Sequence, residues 1–159
     1  MKWLLAVLLY LSITCSAVAQ ETKLFIRGSQ QAIVLSHQGH PFVLALWSLD
    51  CTHCRSDMEL FDRLAKKYQD FELVLISTDT PEQKKAIAHT LQHYRLQRAE
   101  SWVFADTFAE RLRYEIDPQW YGELPRTYFF DVAGNSTAVS GKIERKQLER
   151  WIRGDKKQG

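Results

Sequence analysis

Phe42-Val43-Leu44-Ala45-Leu46-Trp47 is a run of six apolar residues with no polar interruption. A run of that length suits a strand, and a strand apolar at every position must be buried on both faces, as in the centre of a sheet covered by helices on each side. Four residues further on, the period changes. Cys54, Met58, Phe61, Ala65 and Tyr68 fall on one helical stripe, with Leu60 and Leu64 beside it. A fully buried strand feeding an amphipathic helix predicts an α/β architecture.

The rest of the chain repeats the alternation. A strand is expected at residues 33–36, a turn at Gly39-His40-Pro41, and another strand at 71–77. Thr80-Pro81-Glu82-Gln83 then supplies an N-cap, a proline at the first helical position and a capping-box glutamine, with Ile87, Leu91 and Tyr94 as the buried stripe that follows. Further helices are expected at about 107–114 and 144–153, and residues 127–131 and 137–140 flank Ala133-Gly134-Asn135 as an antiparallel hairpin. The expected order is β-β-α-β-α-β-α-β-β-α, without repeat or linker. A chain of 159 residues suits one domain with one core. With 45% apolar and 25% charged residues it is not a disordered chain, and its 21 basic residues are scattered among 19 acidic ones, which argues against nucleic acid as a partner.

Residues 1–19 differ from all that follows. Lys2 gives a positive start, Trp3 to Ile13 is almost wholly apolar, and Ala17-Val18-Ala19 is a small-x-small cleavage signal. This reads as a secretory signal peptide cut after Ala19, leaving residues 20–159 as a single domain in the periplasm or otherwise outside the cytoplasm. Retention as an anchor is the alternative, but Trp3 to Ala19 is 17 residues and contains Ser12, Thr14 and Ser16, short against the ~20 needed for a span. Cleavage removes Cys15 and leaves no stable membrane span. Only Cys51 and Cys54 then remain.

One close pair of cysteines is not what holds a domain of this size together, so it asks for a chemical reason. Cys51 is expected just past the carboxyl end of the central strand, opening the next helix. Free backbone N–H groups and the positive end of the helix dipole favour a thiolate there. Cys51 is therefore read as the attacking sulfur and Cys54, one turn in, as the resolving one. A static bridge closing so small a loop would add little stability, and structural zinc needs about four ligands. His89 and His93 stand i, i+4 on a helix, a spacing that metals use, but without a third ligand they read as an exposed polar face. Asn135-Ser136-Thr137 matches a glycosylation sequon and reads more economically as turn chemistry.

The segment Gly39-His40-Pro41-Phe42-Val43-Leu44-Ala45-Leu46-Trp47-Ser48-Leu49-Asp50-Cys51-Thr52-His53-Cys54 resembles the redox segment of thioredoxin-like proteins, in particular their exported TlpA/ResA/CcmG (DsbE) branch. Gly122-Glu123-Leu124-Pro125-Arg126-Thr127-Tyr128-Phe129-Phe130-Asp131 is similar to that family's Gly-x-Pro-x-Thr-apolar-Asp stretch. Leu75-Ile76-Ser77-Thr78-Asp79 with its capped helix looks like the extra unit of this branch. The resemblance implies a thioredoxin-like fold with a central mixed sheet, an N-terminal strand extension and an inserted βα unit. It also implies a cis bond at Leu124–Pro125, with Pro125 shaping a peptide-docking surface. Trp47 and Leu124 are the candidates for substrate contact, although Trp47 and Trp120 serve equally as core residues.

Three departures from the family pattern bear on chemistry. Asp50 replaces the usual aromatic residue before the first cysteine and opposes thiolate formation. Ala45 stands where cytosolic thioredoxins have a buried acid. His53 precedes Cys54, as in oxidants of the DsbA type, where a proline is common in reductases. The expected activity is thiol–disulfide exchange with protein thiols, through Cys51, Cys54, His53 and Pro125, with no organic cofactor or metal and with a redox partner to reset the couple. The scaffold leans towards reduction and His53 towards oxidation. A non-enzymatic copper carrier using Cys51, Cys54 and a histidine is the rival reading.

Overall fold

The apolar run Phe42–Trp47 forms a strand, β2, buried along its whole length, with no residue more than 4% exposed. The computed structural model describes residues 21–154, so the expected signal segment lies outside the described residues. Ahead of β2 come a strand β1 (Thr22–Phe25) and a helix α1 (Ser29–Ser36). After it follow α2 (Cys54–Lys67), β3 (Glu72–Ser77), a 3-10 turn at Pro81–Gln83, α3 (Lys84–His93) and β4 (Glu100–Phe104). The chain closes with α4 (Ala109–Ile116), the hairpin β5 (Arg126–Phe130) and β6 (Ser136–Ser140), and α5 (Arg145–Ile152).

The six strands make one mixed sheet in the order β1-β4-β3-β2-β5-β6. β1, β4, β3 and β2 run parallel, whereas β5 is antiparallel to β2, with Phe42 opposite Phe130 and Leu46 opposite Arg126. Alternate residues of β2 feed two cores. Val43, Ala45 and Trp47 pack with Cys54, Met58, Ile87, Leu91 and Leu148, from α2, α3 and α5. Phe42, Leu44 and Leu46 pack with Ile33, Leu112 and Ile116, from α1 and α4. Each large side chain withdrawn from water this way contributes about 1.5–3 kcal/mol, which is why an unbroken apolar run belongs at the centre of the sheet.

Two local expectations fail. Residues 33–36 are not a strand but the end of α1. The Gln30-Gln31-Ala32 approach favours a helix, Ser29 Oγ accepts the Ile26 N–H at 2.9 Å, and Ile33 alone of the apolar cluster is fully buried while Leu35 is exposed. The first strand lies earlier, at Thr22–Phe25, in what reads as a polar run. Its hydrogen bonds come from β4, with Thr22 opposite Ser101, a pairing no local pattern reveals. The capping box at Thr80 is present as expected, but it caps the 3-10 turn that leads into α3. The hairpin is where it is expected, and its turn is held by Asp131, whose Oδ1 accepts the backbone N–H groups of Ala133 and Asn135.

Candidate active site

β2 ends at Trp47, and Cys51 follows on a turn in which its N–H donates to Ser48 O at 3.2 Å. Cys51 does not itself open the helix. The first residue of α2 is Cys54, with His53 at the N-cap, so Cys51 lies just outside the helix it faces. Two contacts fix that relation: the Cys54 N–H points at Cys51 O at 3.2 Å and at Cys51 Sγ at 3.1 Å. The first N–H of α2, which has no partner within the helix, is thus shared between Cys51 O and the outer sulfur, a contact that a thiolate there would strengthen.

The two sulfurs are joined in a disulfide, with a Cα–Cα distance of 5.3 Å. Their environments differ. Cys54 is 2% exposed and packs among Val43, Ala45, Trp47 and Met58, whereas Cys51 is only half-buried at the rim. His53 is exposed, and its ring makes no hydrogen bond to the described residues.

α2 also buries two acids that the apolar stripe conceals. Asp57, one turn beyond Cys54, is 4% exposed, and Asp62 is 5% exposed, while Ala65, expected on the stripe, faces solvent. Asp57 Oδ1 accepts the Ile143 N–H at 3.2 Å, and its Oδ2 has no hydrogen-bond partner among the described residues. Burial pushes its carboxyl up to about 6, against the Ile143 N–H and the charge of Lys142, which favour the ionised form. The acid missing at Ala45 is therefore matched by one on the neighbouring helix, facing the same layer as Cys54. The sequence signal was a carboxylate at i+3 from a cysteine on an apolar face. Asp62 is different, since Arg95 Nη2 at 2.6 Å and Lys66 Nζ at 2.9 Å neutralise it and hold it below the usual carboxylate range. That pair ties the end of α3 to α2.

The loop from Asp117 to Pro125 is anchored from several sides. Trp120, 3% exposed, donates its Nε1 hydrogen to Glu123 O at 2.8 Å. Arg126 binds Asp117 Oδ2 at 2.5 Å and Tyr128 Oη at 3.1 Å, and burial pushes the Tyr128 hydroxyl up to about 12. Gly122 takes φ +98°, and a Cβ there would meet Arg113 Cδ at 3.2 Å, so a side chain at this position is disfavoured twice. The Leu124–Pro125 bond is cis. Pro125 is buried, and Leu124 is half-buried and packs against both cores, including the one that holds Cys54.

A cavity of about 280 Å³ opens beside the disulfide, between α2 and α3. Cys51 and Cys54 form part of its wall, together with Trp47, and His89 and His93 of α3 also line it. Trp47 is 3% exposed, so it meets this space from within the core. Among the described residues no group of three or more His, Cys, Asp or Glu side chains is placed to hold a metal ion. No helix of the described residues is long and apolar enough to cross a membrane.

Residues 18–138 match the AhpC/TSA family. No curated protein matches the chain by sequence. Among solved structures, the chain is similar to a secreted Mycobacterium tuberculosis disulfide oxidoreductase homologous to Escherichia coli DsbE, with a TM-score of 0.59 and 21% identity over 76% of this chain and 85% of that one. It is similar to M. tuberculosis DsbF, with a TM-score of 0.59 and 18% identity over 75% and 83% of the two chains. A thiol:disulfide interchange protein of the thioredoxin family from Chlorobium tepidum gives a TM-score of 0.55 and 17% identity over 76% and 82%. These likenesses establish the thioredoxin-like fold.

Proposed function

The chain belongs to the AhpC/TSA family, and we propose that it is a thiol–disulfide oxidoreductase acting on protein thiols through Cys51 and Cys54. The observation that carries this reading is the asymmetry of the pair: a half-exposed Cys51 that receives a helix N-terminal N–H, bonded to a buried Cys54. That is the division of labour exchange requires.

In the reducing direction, the Cys51 thiolate attacks one sulfur of a substrate disulfide, forms a mixed disulfide and releases the other sulfur as a thiolate. Cys54, once deprotonated, then attacks Cys51 Sγ, closing the intramolecular bridge and freeing the second substrate thiolate. Two electrons pass to the substrate. The oxidising direction is the same sequence reversed. Cys54 is buried and must lose its proton away from water, and Asp57, one turn along with a free Oδ2 and a carboxyl near 6, is the group on hand to receive it. His53, exposed at the N-cap, is a positioning residue that favours the Cys51 thiolate and so makes the disulfide more oxidising. Leu124 and Pro125, beside the core that holds Cys54, supply the docking surface for the substrate chain, and Trp47 backs it from within.

We further read the chain as exported and of the TlpA/ResA/CcmG (DsbE) type. The apolar, small-x-small pattern of residues 1–19 and the segment Leu75-Ile76-Ser77-Thr78-Asp79 followed by the capped turn into α3 support this. A copper carrier would need a further ligand beside Cys51 and Cys54, and among the described residues no group of three or more His, Cys, Asp or Glu side chains is placed to hold a metal ion. The deciding experiment is equilibration of the protein with glutathione buffers. A two-electron couple with a potential between about −120 mV, as in oxidants, and about −270 mV, as in reductants, is expected and also sets the direction. A protein that binds Cu(I) stoichiometrically and exchanges no disulfide would overturn the reading.

A further inference from the structure

The cavity beside the disulfide has a consistent chemical character. Its apolar surface comes from Leu49, Met58 and Tyr94 together with Trp47. Its remaining charged and titratable groups are Arg55 on α2 and His89 and His93 on α3, all three exposed. None of the described residues that line it carries a carboxylate. Asp79 Oδ2 accepts the Leu49 N–H at 2.9 Å and the Ser77 hydroxyl at 2.5 Å, and neither Asp50, exposed on the Cys51 turn, nor the buried Asp57 is part of the lining. An imidazole offers at least one N–H donor in either protonation state, and Arg55 is permanently charged.

We infer that this cavity is a specificity subsite for substrate protein segments in which the reacting cysteine is flanked by Asp or Glu, the carboxylate being met by Arg55, His89 and His93. The inference rests on the exchange activity proposed above and names the substrate class for it. At about 280 Å³ the space is slightly smaller than the ~300–1,000 Å³ typical of small-molecule pockets, and it suits one or two side chains of a segment held by its sulfur. The walls are set in advance, because the Arg95–Asp62 pair fixes α3 against α2 at the far end. Complementary charge at such a rim acts chiefly on encounter rate and on partner choice.

The test uses the full chain, reduced, with synthetic peptide disulfides identical except for Glu or Lys on both sides of the cysteine. Each rate is normalised to reduction of the same peptide by dithiothreitol. The wild type is expected to favour the Glu peptide in kcat/KM by about 3- to 10-fold, the range for a few exposed charge contacts. In Arg55→Gln/His89→Gln/His93→Gln the ratio is expected to fall to near one, and in Arg55→Lys it is expected to survive. Equal normalised rates in the wild type would overturn the inference, as would a preference that the triple variant leaves unmoved. So would discrimination between oxidised glutathione and its carboxylate ester with none between the peptides. Failure to exchange with any peptide would instead overturn the activity itself.

Discussion

Asp57 lies one helical turn beyond Cys54 on α2, and the two are 4% and 2% exposed, so an unpartnered carboxylate oxygen and the inner sulfur of the redox pair share one buried layer. An acid in such a place is expensive. Its ordinary value is 3.8, and burial raises it to about 6 in the folded state. The folded protein therefore holds a proton that the unfolded chain has released, and stability falls as pH rises between about 4 and 6.

Asp57→Asn keeps an acceptor for the Ile143 N–H and removes the charge. The variant is expected to lose the fall in Tm between about pH 4 and 6 and to match or exceed the wild type in Tm at pH 7. Exchange is expected to slow by about 10²–10⁴-fold, the usual contribution of a positioned proton acceptor. Thermal melts across pH with single-turnover exchange rates check both. An unchanged rate would remove Asp57 from the mechanism.

Cys51 is expected to be alkylated before Cys54 in the reduced protein at neutral pH, because it is half-exposed and Cys54 is buried. Cys54→Ser should accumulate mixed disulfides with substrates, and Cys51→Ser should be inert. Mass spectrometry after brief iodoacetamide treatment reads the first outcome. Faster labelling of Cys54 would reverse the roles.

His53→Ala is expected to make the disulfide less oxidising, since it removes the imidazole proposed to favour the Cys51 thiolate. For this two-electron couple about 30 mV corresponds to about 1.4 kcal/mol, so a shift of tens of millivolts to more negative potential is the expected scale. Potentials that coincide for wild type and variant would assign His53 to the surface alone.

His37, at the end of α1, should give the fold an alkaline limit. Its Nδ1 meets Glu72 Oε2 at 2.6 Å and its Nε2 meets Glu100 Oε2 at 3.1 Å, while Lys23 also holds Glu100, His40 stands 3.9 Å from Glu72, and the ring stacks on Phe42. Both ring nitrogens can donate only in the imidazolium, and the Glu100 hydrogen bond, the largest influence, raises its pKa above 6.5. The stabilisation is complete below about 6.5 and lost as pH rises through the higher folded value. Glu100 works oppositely: held down to about 2 from 4.5, first by His37, it stabilises above about 4.5 and loses that as pH falls towards 2. His37→Gln is expected to cost about 1–3 kcal/mol near pH 6 and much less at pH 9, by denaturant unfolding at the two values. A pH-independent cost would contradict the charged clamp.

Six consecutive apolar residues have only one place in a sheet, so the central strand was legible in the sequence, and with it the position of the redox pair just past that strand's end. The sequence also located the α2 and α3 helices and the β5–β6 hairpin, whose signals of period, cap and turn are local. What it did not contain was decided by partners far along the chain. β1 exists because β4 offers a free edge, and residues 33–36 became helix because only Ile33 had a core to enter. Asp57 acquired its raised carboxyl from burial, against the opposing hydrogen bond from Ile143, 86 residues away. His89 and His93 read as an exposed polar face when α3 is considered alone. Packing of α3 against α2 brings them to the rim of a cavity that also holds Cys51 and Cys54, since neighbours across a helix pair are set by which faces bury, and that is a property of the whole fold.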